Sequence, residues 1–589
     1  MNVYDILKNL FDEGLYSDII QLLSLVQPQS HNYFNQLTPV QEYQIYIYLG
    51  DAYFHEGDFV KAEKQYQLSL DLKRTALKNK KKGQNSWFLD GASEADLKFK
   101  IANCYKNLKQ PADAIKILDS IPQKQRGARV NCLLGDLYMS VKKEHAQAYY
   151  REVLRECPHS LKVILNMIKL GVKANDIFNL INISNIPNSE WLSTWIKAHC
   201  YLHSPDVCQA ISHFRSLLGS NQFKNNADLL QNLGEAFYYN GDYKKAISAL
   251  RKAHANDPLS LKALDFYAAC LYKEKQVKEL EKLANELVPL CESDCQAPEP
   301  WIVLGYYCLS VEKFDKKDFK DQKEQRVHKA QNFVEKACNL SNNSIEALIL
   351  GGLLELKINT EKMSDKGDRS ERNRDFLKDD PFKDARKSFK DALSLCQYRF
   401  EALKGLTDVY LAENRKSQAS SVVSNAFKLL GQNSRTLTLY ASILLLDSEK
   451  RSNKKNALSS LEKAISMDPG FLPAVYMLVN LLSEDKNWNR AIEILKSAIE
   501  VESCDKLHRM LANCYKEKGE HDKSLHHQNI ASKLELNHAG IWQTSSQRLE
   551  HQSCRAANDV SMEVDEEVDL DDDRNLESEN EIESESDPQ

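Results

Sequence analysis

The sequence predicts an all-α protein: an α-solenoid of about 14 stacked helix pairs followed by an acidic disordered tail. Three observations predict it. The chain has 589 residues and is 42% hydrophobic, yet it carries only 20 Gly and 15 Pro, few helix breakers for its length. Apolar residues recur at i, i+3, i+4 and i+7, the stripe of a half-buried helix, and the frame returns with a period of about 34 residues. The composition then changes abruptly. From Asp559 to Gln589 there are 15 acidic residues against the single Arg574, a net of -14. Since the whole chain has a net charge of -6, the rest is mildly basic, about +8.

The cleanest unit begins at Ala227. It carries Leu230, Leu233, Gly234 and Phe237, then Gly241 and Tyr243, then Ala246, Leu250 and Ala253, and closes on Pro258. The first group lies on one face of a first helix, and Ala246, Leu250 and Ala253 form the matching face of a second. Small residues at Gly234 and Ala246 let the two helices approach closely. Pro258 ends the second because proline has no backbone N–H to donate. This is the tetratricopeptide pattern.

The frame recurs in order. An opening pair over about 3–36 keeps the apolar period without the Gly and Tyr marks. Tyr46, Leu49, Gly50, Tyr53, Gly57, Ala62 and Tyr66 form the next unit. Then come Ala102, Tyr105, Ala114 and Leu118, followed by Leu134, Gly135 and Tyr138, closing at Pro158. A weakly marked pair spans about 161–186. Trp191, Ala198, Tyr201, Ala210 and Phe214 precede the Ala227 unit, and Leu264, Tyr267, Ala268 and Leu271 follow it. Later units hold Trp301, Gly305 and Ala330; Leu348, Gly352, Ala385 and Phe389; Leu403, Tyr410 and Ala419; and Leu437, Ala457 and Leu461, ending at Pro469. Leu478, Trp488 and Ala491, then Ala512, Tyr515 and Gly519, complete the array. The three tryptophans at pattern positions read as core.

Three charged stretches interrupt it: Lys78–Asp90 between repeats, and Asp315–Val327 and Thr360–Phe382 between the paired helices of successive repeats. Such inserts project from the turns of a solenoid, and their composition predicts mobility. The array divides into residues 1–190, an N-terminal region suited to self-association, and 191–540, the longer run of repeats. Residues 541–589 read as disordered.

Several function classes drop out. No stretch has the roughly 18–20 apolar residues that a membrane span requires. The N-terminus mixes apolar and charged residues, unlike a signal peptide. The 14 scattered Cys fit a reduced intracellular protein. No phosphate-binding loop, HExxH or GxSxG is present, so no catalytic residues and no cofactor are expected. Cys291 and Cys295 lack a second pair at zinc-like spacing and read as helix-end cysteines. His521, His526 and His527 read as a solvated face of the last repeat. Lys78-Asn-Lys-Lys-Lys reads as a solvated loop rather than an import signal, and a body charge near +8 does not point to nucleic acid.

Binding is therefore expected on repeat surfaces. First-helix residues off the core stripe line the concave side of such an array. The Ala227 unit offers Asp228, Gln231, Asn232, Glu235 and Tyr238 there, and the next unit offers Lys262, Asp265 and Phe266. These do not make the Lys/Asn/Arg carboxylate clamp of chaperone-binding repeats. The last unit presents Lys506, Arg509, Asn513 and Lys516 on one face, a candidate groove for a peptide carboxylate because arginine binds one bidentately. The alternative reading is a solvated basic helix. In the tail, Ser578, Ser584 and Ser586 stand among acidic residues and are candidate phosphorylation sites. Tyr43, Tyr46 and Tyr48 are more first-helix aromatics than one array should bury, which predicts an elongated homodimer.

Beyond the generic repeat, several segments are more specific: Ala114-Ile115-Lys116-Ile117-Leu118-Asp119-Ser120-Ile121-Pro122, Trp191-Leu192-Ser193-Thr194-Trp195-Ile196-Lys197-Ala198, Thr436-Leu437-Thr438-Leu439 and Leu507-His508-Arg509-Met510-Leu511. With the leucine-rich helix at Leu22–Leu25 and the acidic tail, they make the chain resemble the subunit 7 family of the anaphase-promoting complex (cyclosome), from its first residues to about residue 540. The resemblance implies a non-catalytic scaffold subunit of a cell-cycle ubiquitin ligase in the nucleus and cytoplasm. It implies homodimers through the N-terminal repeats, stacking on sister tetratricopeptide subunits, and support of coactivators, with neither nucleic acid nor membrane as partner. The charged inserts depart from the family pattern. A peptide-binding adaptor or cochaperone outside that complex is the competing expectation.

Overall fold

The computed structural model describes residues 3–26, 38–78, 92–139, 141–183, 189–293, 295–310, 320–341, 344–365, 380–446 and 451–539. They form 28 α-helices and no strand is found among them, so the chain has an all-α, tetratricopeptide-repeat fold. The chain divides into two compact units, Met1–His203 and Ser204–Gln589.

The first unit holds α1 (Val3–Asp12), α2 (Tyr16–Val26), α3 (Pro39–His55), α4 (Phe59–Lys78), α5 (Glu94–Asn107), α6 (Pro111–Asp119), α7 (Ala128–Tyr138), α8 (Lys143–Glu156), α9 (Leu161–Lys169), α10 (Ala174–Ile181) and α11 (Glu190–Leu202). The second opens with α12 (Val207–Gly219), α13 (Ala227–Asn240), α14 (Tyr243–Asn256), α15 (Leu264–Lys273), α16 (Val277–Glu292), α17 (Pro298–Ser310), α18 (Lys320–Leu340), α19 (Ile345–Asp365) and α20 (Lys383–Leu395). It continues with α21 (Phe400–Ala412), α22 (Lys416–Leu430), α23 (Ser434–Leu445), α24 (Arg451–Met467), α25 (Leu472–Glu484), α26 (Trp488–Val501), α27 (Asp505–Lys518) and α28 (His521–Ala539). Odd-numbered helices are the first of each repeat.

The packing follows the pattern residues. Ala62, Ala114, Ala146, Ala246, Ala385, Ala419, Ala457 and Ala491 are all fully buried where second helices meet first ones. At Gly50 the approach is close: a Cβ there would lie 2.5 Å from Tyr66 Cε1. α14 ends two residues before Pro258 and α24 two before Pro469, as predicted for residues that cannot continue a helix. Of the three tryptophans read as core, Trp301 is buried, whereas Trp191 and Trp488 are only partly covered.

A polar staple accompanies this packing in the first unit. Asp51, next to Gly50, accepts a hydrogen bond from Tyr66 (2.5 Å) and an ion pair from Lys100 of the following repeat. Asp136, next to Gly135, does the same with Tyr150 (2.7 Å) and Lys162 (2.8 Å). The acid thus ties its own second helix to the next first helix.

Two expectations need correction. Tyr43 and Tyr48 do not overflow one array. Tyr43 is buried and donates to Ala92 O at 2.7 Å, and Tyr48 is buried against Phe11 (ring centroids 4.4 Å apart) and Tyr4. The opening pair α1–α2 covers Tyr48, whereas Tyr43 packs among α4 and α5 residues; Tyr46 is partly exposed, so the first two rings no longer argue for a dimer. Nor do the later inserts lie wholly outside the helices. Residues 320–327 extend the start of α18, Thr360–Asp365 extends α19, and Phe382 is buried beside Ile349 and Phe389. Residues 311–319 and 366–379, most of Lys78–Asp90, and the whole of 541–589 lie outside the described residues.

Candidate functional site

The concave positions of the repeats from α13 to α23 are filled by the chain itself. Gln231, Asn232 and Tyr238 on α13 are buried, as are Glu346, Arg399, Glu401, Thr407 and Arg435 on the later repeats. Of the positions named from the sequence on α13 and just before α15, Asp228 and Lys262 are exposed, paired with each other at 2.5 Å.

Two ion pairs organise this interior, built by one rule. A glutamate at the second position of a first helix meets an arginine from the start of the next first helix. Glu346 of α19 pairs with Arg399, the N-cap residue of α21, and Glu401 of α21 pairs with Arg435, the second residue of α23. Each arginine also reaches back to the α13–α14 repeat. Arg399 lies against Tyr239, Phe266 and Tyr238, its guanidinium carbon 4.1, 5.3 and 5.5 Å from the ring centroids. Arg435 donates to Tyr239 O (3.2 Å) and to the Tyr243 hydroxyl (2.8 Å), and it lies 3.9 Å over Phe400. Tyr243 in turn donates to Glu401 at 3.0 Å, and Tyr238 to Glu346 at 3.1 Å. The ion pair Lys244–Glu502 adds a contact between α14 and the end of α26.

Buried charge must be paired to be tolerated. Burial alone would raise the Glu401 carboxyl, but Arg435, Lys273 and Arg399 outweigh it and bring it down to about 2. Burial, then the neighbouring Lys404, lowers Lys273 to about 8. Gly241 is part of the same design. It caps α13 with φ 92°, a left-handed turn, and the Arg435 side chain lies directly over it: a Cβ would come within 2.6 Å of Arg435 Cδ.

The predicted basic strip does form. Lys506, Arg509, Asn513 and Lys516 are all exposed along α27, with the Lys506 ammonium 4.0 Å over the Tyr476 ring. His521 and His526 are exposed, as a solvated face requires, but His527 turns inward. Its Nδ1 lies 3.1 Å from Nδ1 of the buried His508, and Tyr515 stacks on its ring. No group of three or more His, Cys, Asp or Glu able to hold a metal occurs among the described residues. Ser578, Ser584 and Ser586 lie outside the described residues.

Comparisons with known proteins agree with this architecture. Family models described as tetratricopeptide repeat match residues 96–125, 227–260 and 455–514. A chain from the crystal structure of the APC/C hetero-tetramer Cut9–Hcn1 superposes with a TM-score of 0.57 over 94% of this chain and 96% of that one; at 14% identity this likeness concerns the fold alone. Anaphase-promoting complex subunit 7 of Arabidopsis thaliana is 24% identical, with 90% of each chain covered. The human protein of the same name is 30% identical over 547 residues, 91% of this chain and 90% of its own length. A match of that extent places the chain in the anaphase-promoting complex subunit 7 family.

Proposed function

We propose that this chain is a non-catalytic scaffold subunit of the anaphase-promoting complex, a cell-cycle ubiquitin ligase, and that it organises sister tetratricopeptide subunits through its repeat surfaces. The observation that carries this reading is the extent of the match to subunit 7 relatives, nine-tenths of both chains. The interior of the second unit supports it. Its concave positions hold paired glutamates and arginines in place of a Lys/Asn/Arg clamp, which argues against a cochaperone. Affinity purification from mitotic cells tests the reading: ubiquitin-ligase subunits should co-purify, and chaperones recovered without them would overturn it.

Several finer elements belong to the same proposal. A second copy of the chain binds through the region 1–190, a reading supported by the family resemblance now that Tyr43 and Tyr48 prove internal. Light scattering on the purified chain should then give about twice the 67.4 kDa monomer mass. Lys506, Arg509, Asn513 and Lys516 form a surface for a peptide carboxylate, such as a coactivator tail, and Arg509→Glu should weaken that partner selectively. Phosphorylation at Ser578, Ser584 and Ser586 tunes partner contacts by adding charge to the acidic tail, which phosphopeptide mapping would detect. The protein works in both nucleus and cytoplasm, to be checked by imaging the tagged full chain.

A further inference from the structure

The surroundings of Arg399 are those of a bound ligand rather than of an ordinary core residue. Tyr238, Tyr239 and Phe266 form a three-walled cage, with ring centroids 5.3 to 6.0 Å apart. The Tyr239 and Phe266 planes stand at 90° to each other. All three rings belong to α13 and α15, whereas the guanidinium comes from α21, some 160 residues later in the chain. Glu346 closes the cage, pairing with one end of the guanidinium, and the Tyr238 hydroxyl holds its second oxygen. Arg399 is only 4% exposed, and its Nε and Nη1 have no hydrogen-bond acceptor. They are surrounded by aromatic faces, which attract a cation without accepting a conventional hydrogen bond. A carboxylate at one end and π faces around the rest make a guanidinium-binding site, since a compact ammonium is more strongly hydrated and lacks the flat face that stacks on rings.

We propose that this cage is a guanidinium site which the second unit fills with its own Arg399, locking the inner face of α13–α23 in cis. An arginine presented by another molecule enters there only when Arg399 is displaced. This inference does not depend on membership of any complex.

Emptying the site tests it. In the full-length Arg399→Ala chain, amides of the C-terminal turn of α13 and the first turn of α21 should exchange faster, and methylguanidinium should restore their protection while methylammonium at equal ionic strength should not. At ten times the dissociation constant of the added cation, the equilibrium constant for closing this interior should rise about elevenfold by mass action. N-acetyl-arginine amide should bind the Arg399→Ala chain and leave the native chain untouched. Adding Tyr239→Leu to Arg399→Ala should abolish both effects. If Arg399→Ala is insoluble, the same readout is the yield of soluble protein refolded with either cation. No selective rescue, or equal binding of the arginine amide to native and variant chains, would overturn the proposal.

Discussion

Replacing Arg435 by alanine should release the α13–α14 repeat from the repeats that close over it. The change removes the partner of Glu401, the donor to Tyr239 O and the donor to the Tyr243 hydroxyl, all within an interior where Arg435 is 6% and Glu401 5% exposed. The larger cost comes from what stays behind. A buried carboxylate stripped of its main partner destabilises by about 3–5 kcal/mol, whereas replacing both partners with apolar groups is close to neutral. Arg435→Met combined with Glu401→Leu should therefore recover most of what Arg435→Ala loses. A global midpoint is the wrong observable, because helix-pair arrays unfold in parts. Hydrogen exchange resolves the parts: peptides from the C-terminal turn of α13 and the first turn of α23 should exchange faster by about two to nearly four orders of magnitude in the single variant. Peptides from α5–α8 should not change. If the α13 turn kept its protection in Arg435→Ala, or if the double variant were worse than the single, the ion pair would not be what closes this interior.

Gly241→Ala should reproduce part of that phenotype without touching a charge, since it combines a left-handed φ of 92° with a Cβ 2.6 Å from Arg435 Cδ. The backbone term alone is about 1–2 kcal/mol, so exchange in the C-terminal turn of α13 should speed up by at least about 5–30-fold, and unchanged exchange would refute the reading. In the first unit, Tyr66→Phe removes the hydroxyl that donates to Asp51 at 2.5 Å while preserving the ring packed on Gly50. It should cost about 1–3 kcal/mol, read as faster exchange in α3 and α5. The helix α28 should loosen in acid. Burial first, then the charge of His526, lowers His508, and burial, then His508, His526 and Lys496, lowers His527. A lowered histidine contributes stability that is present above its ordinary value of 6.5 and lost as pH falls below it. Exchange in α28, corrected for intrinsic rates, should rise between pH 7 and pH 5.5, and His527→Gln should flatten the dependence.

The helices and their pairing were legible because each repeat marks itself locally. Leu230, Leu233, Gly234 and Phe237 announce a buried face within two turns, and Pro258 announces its end. The staple at Gly50-Asp51 was half legible: the glycine signals a close approach, but nothing in the sequence says that Asp51 would meet Tyr66 and Lys100. The opening pair shows the opposite error. Tyr48 looked like a surplus aromatic because α1 and α2 carry weak repeat marks, and a helix pair with weak marks still provides cover.

The interior of the second unit was hidden for a reason that lies in spacing. Glu346 and Glu401 hold the same helical position in successive repeats, yet 55 positions separate them by their numbering, because the Thr360–Phe382 insert falls between. Arg399 and Arg435, with no insert between them, stand 36 apart, near the ordinary period. A recurrence of Glu and Arg at the starts of successive first helices would show in an unbroken register; displaced by the insert, it looks like scattered surface charge. The rule that polar first-helix positions face an open groove then fails, because it assumes a coil wide enough to admit water. Here Arg435 of α23 touches Tyr239 of α13, so polar side chains that would line an open groove meet one another. Each charge must then find its opposite inside the same chain, and the Glu–Arg pairing from repeat to repeat is what satisfies that demand.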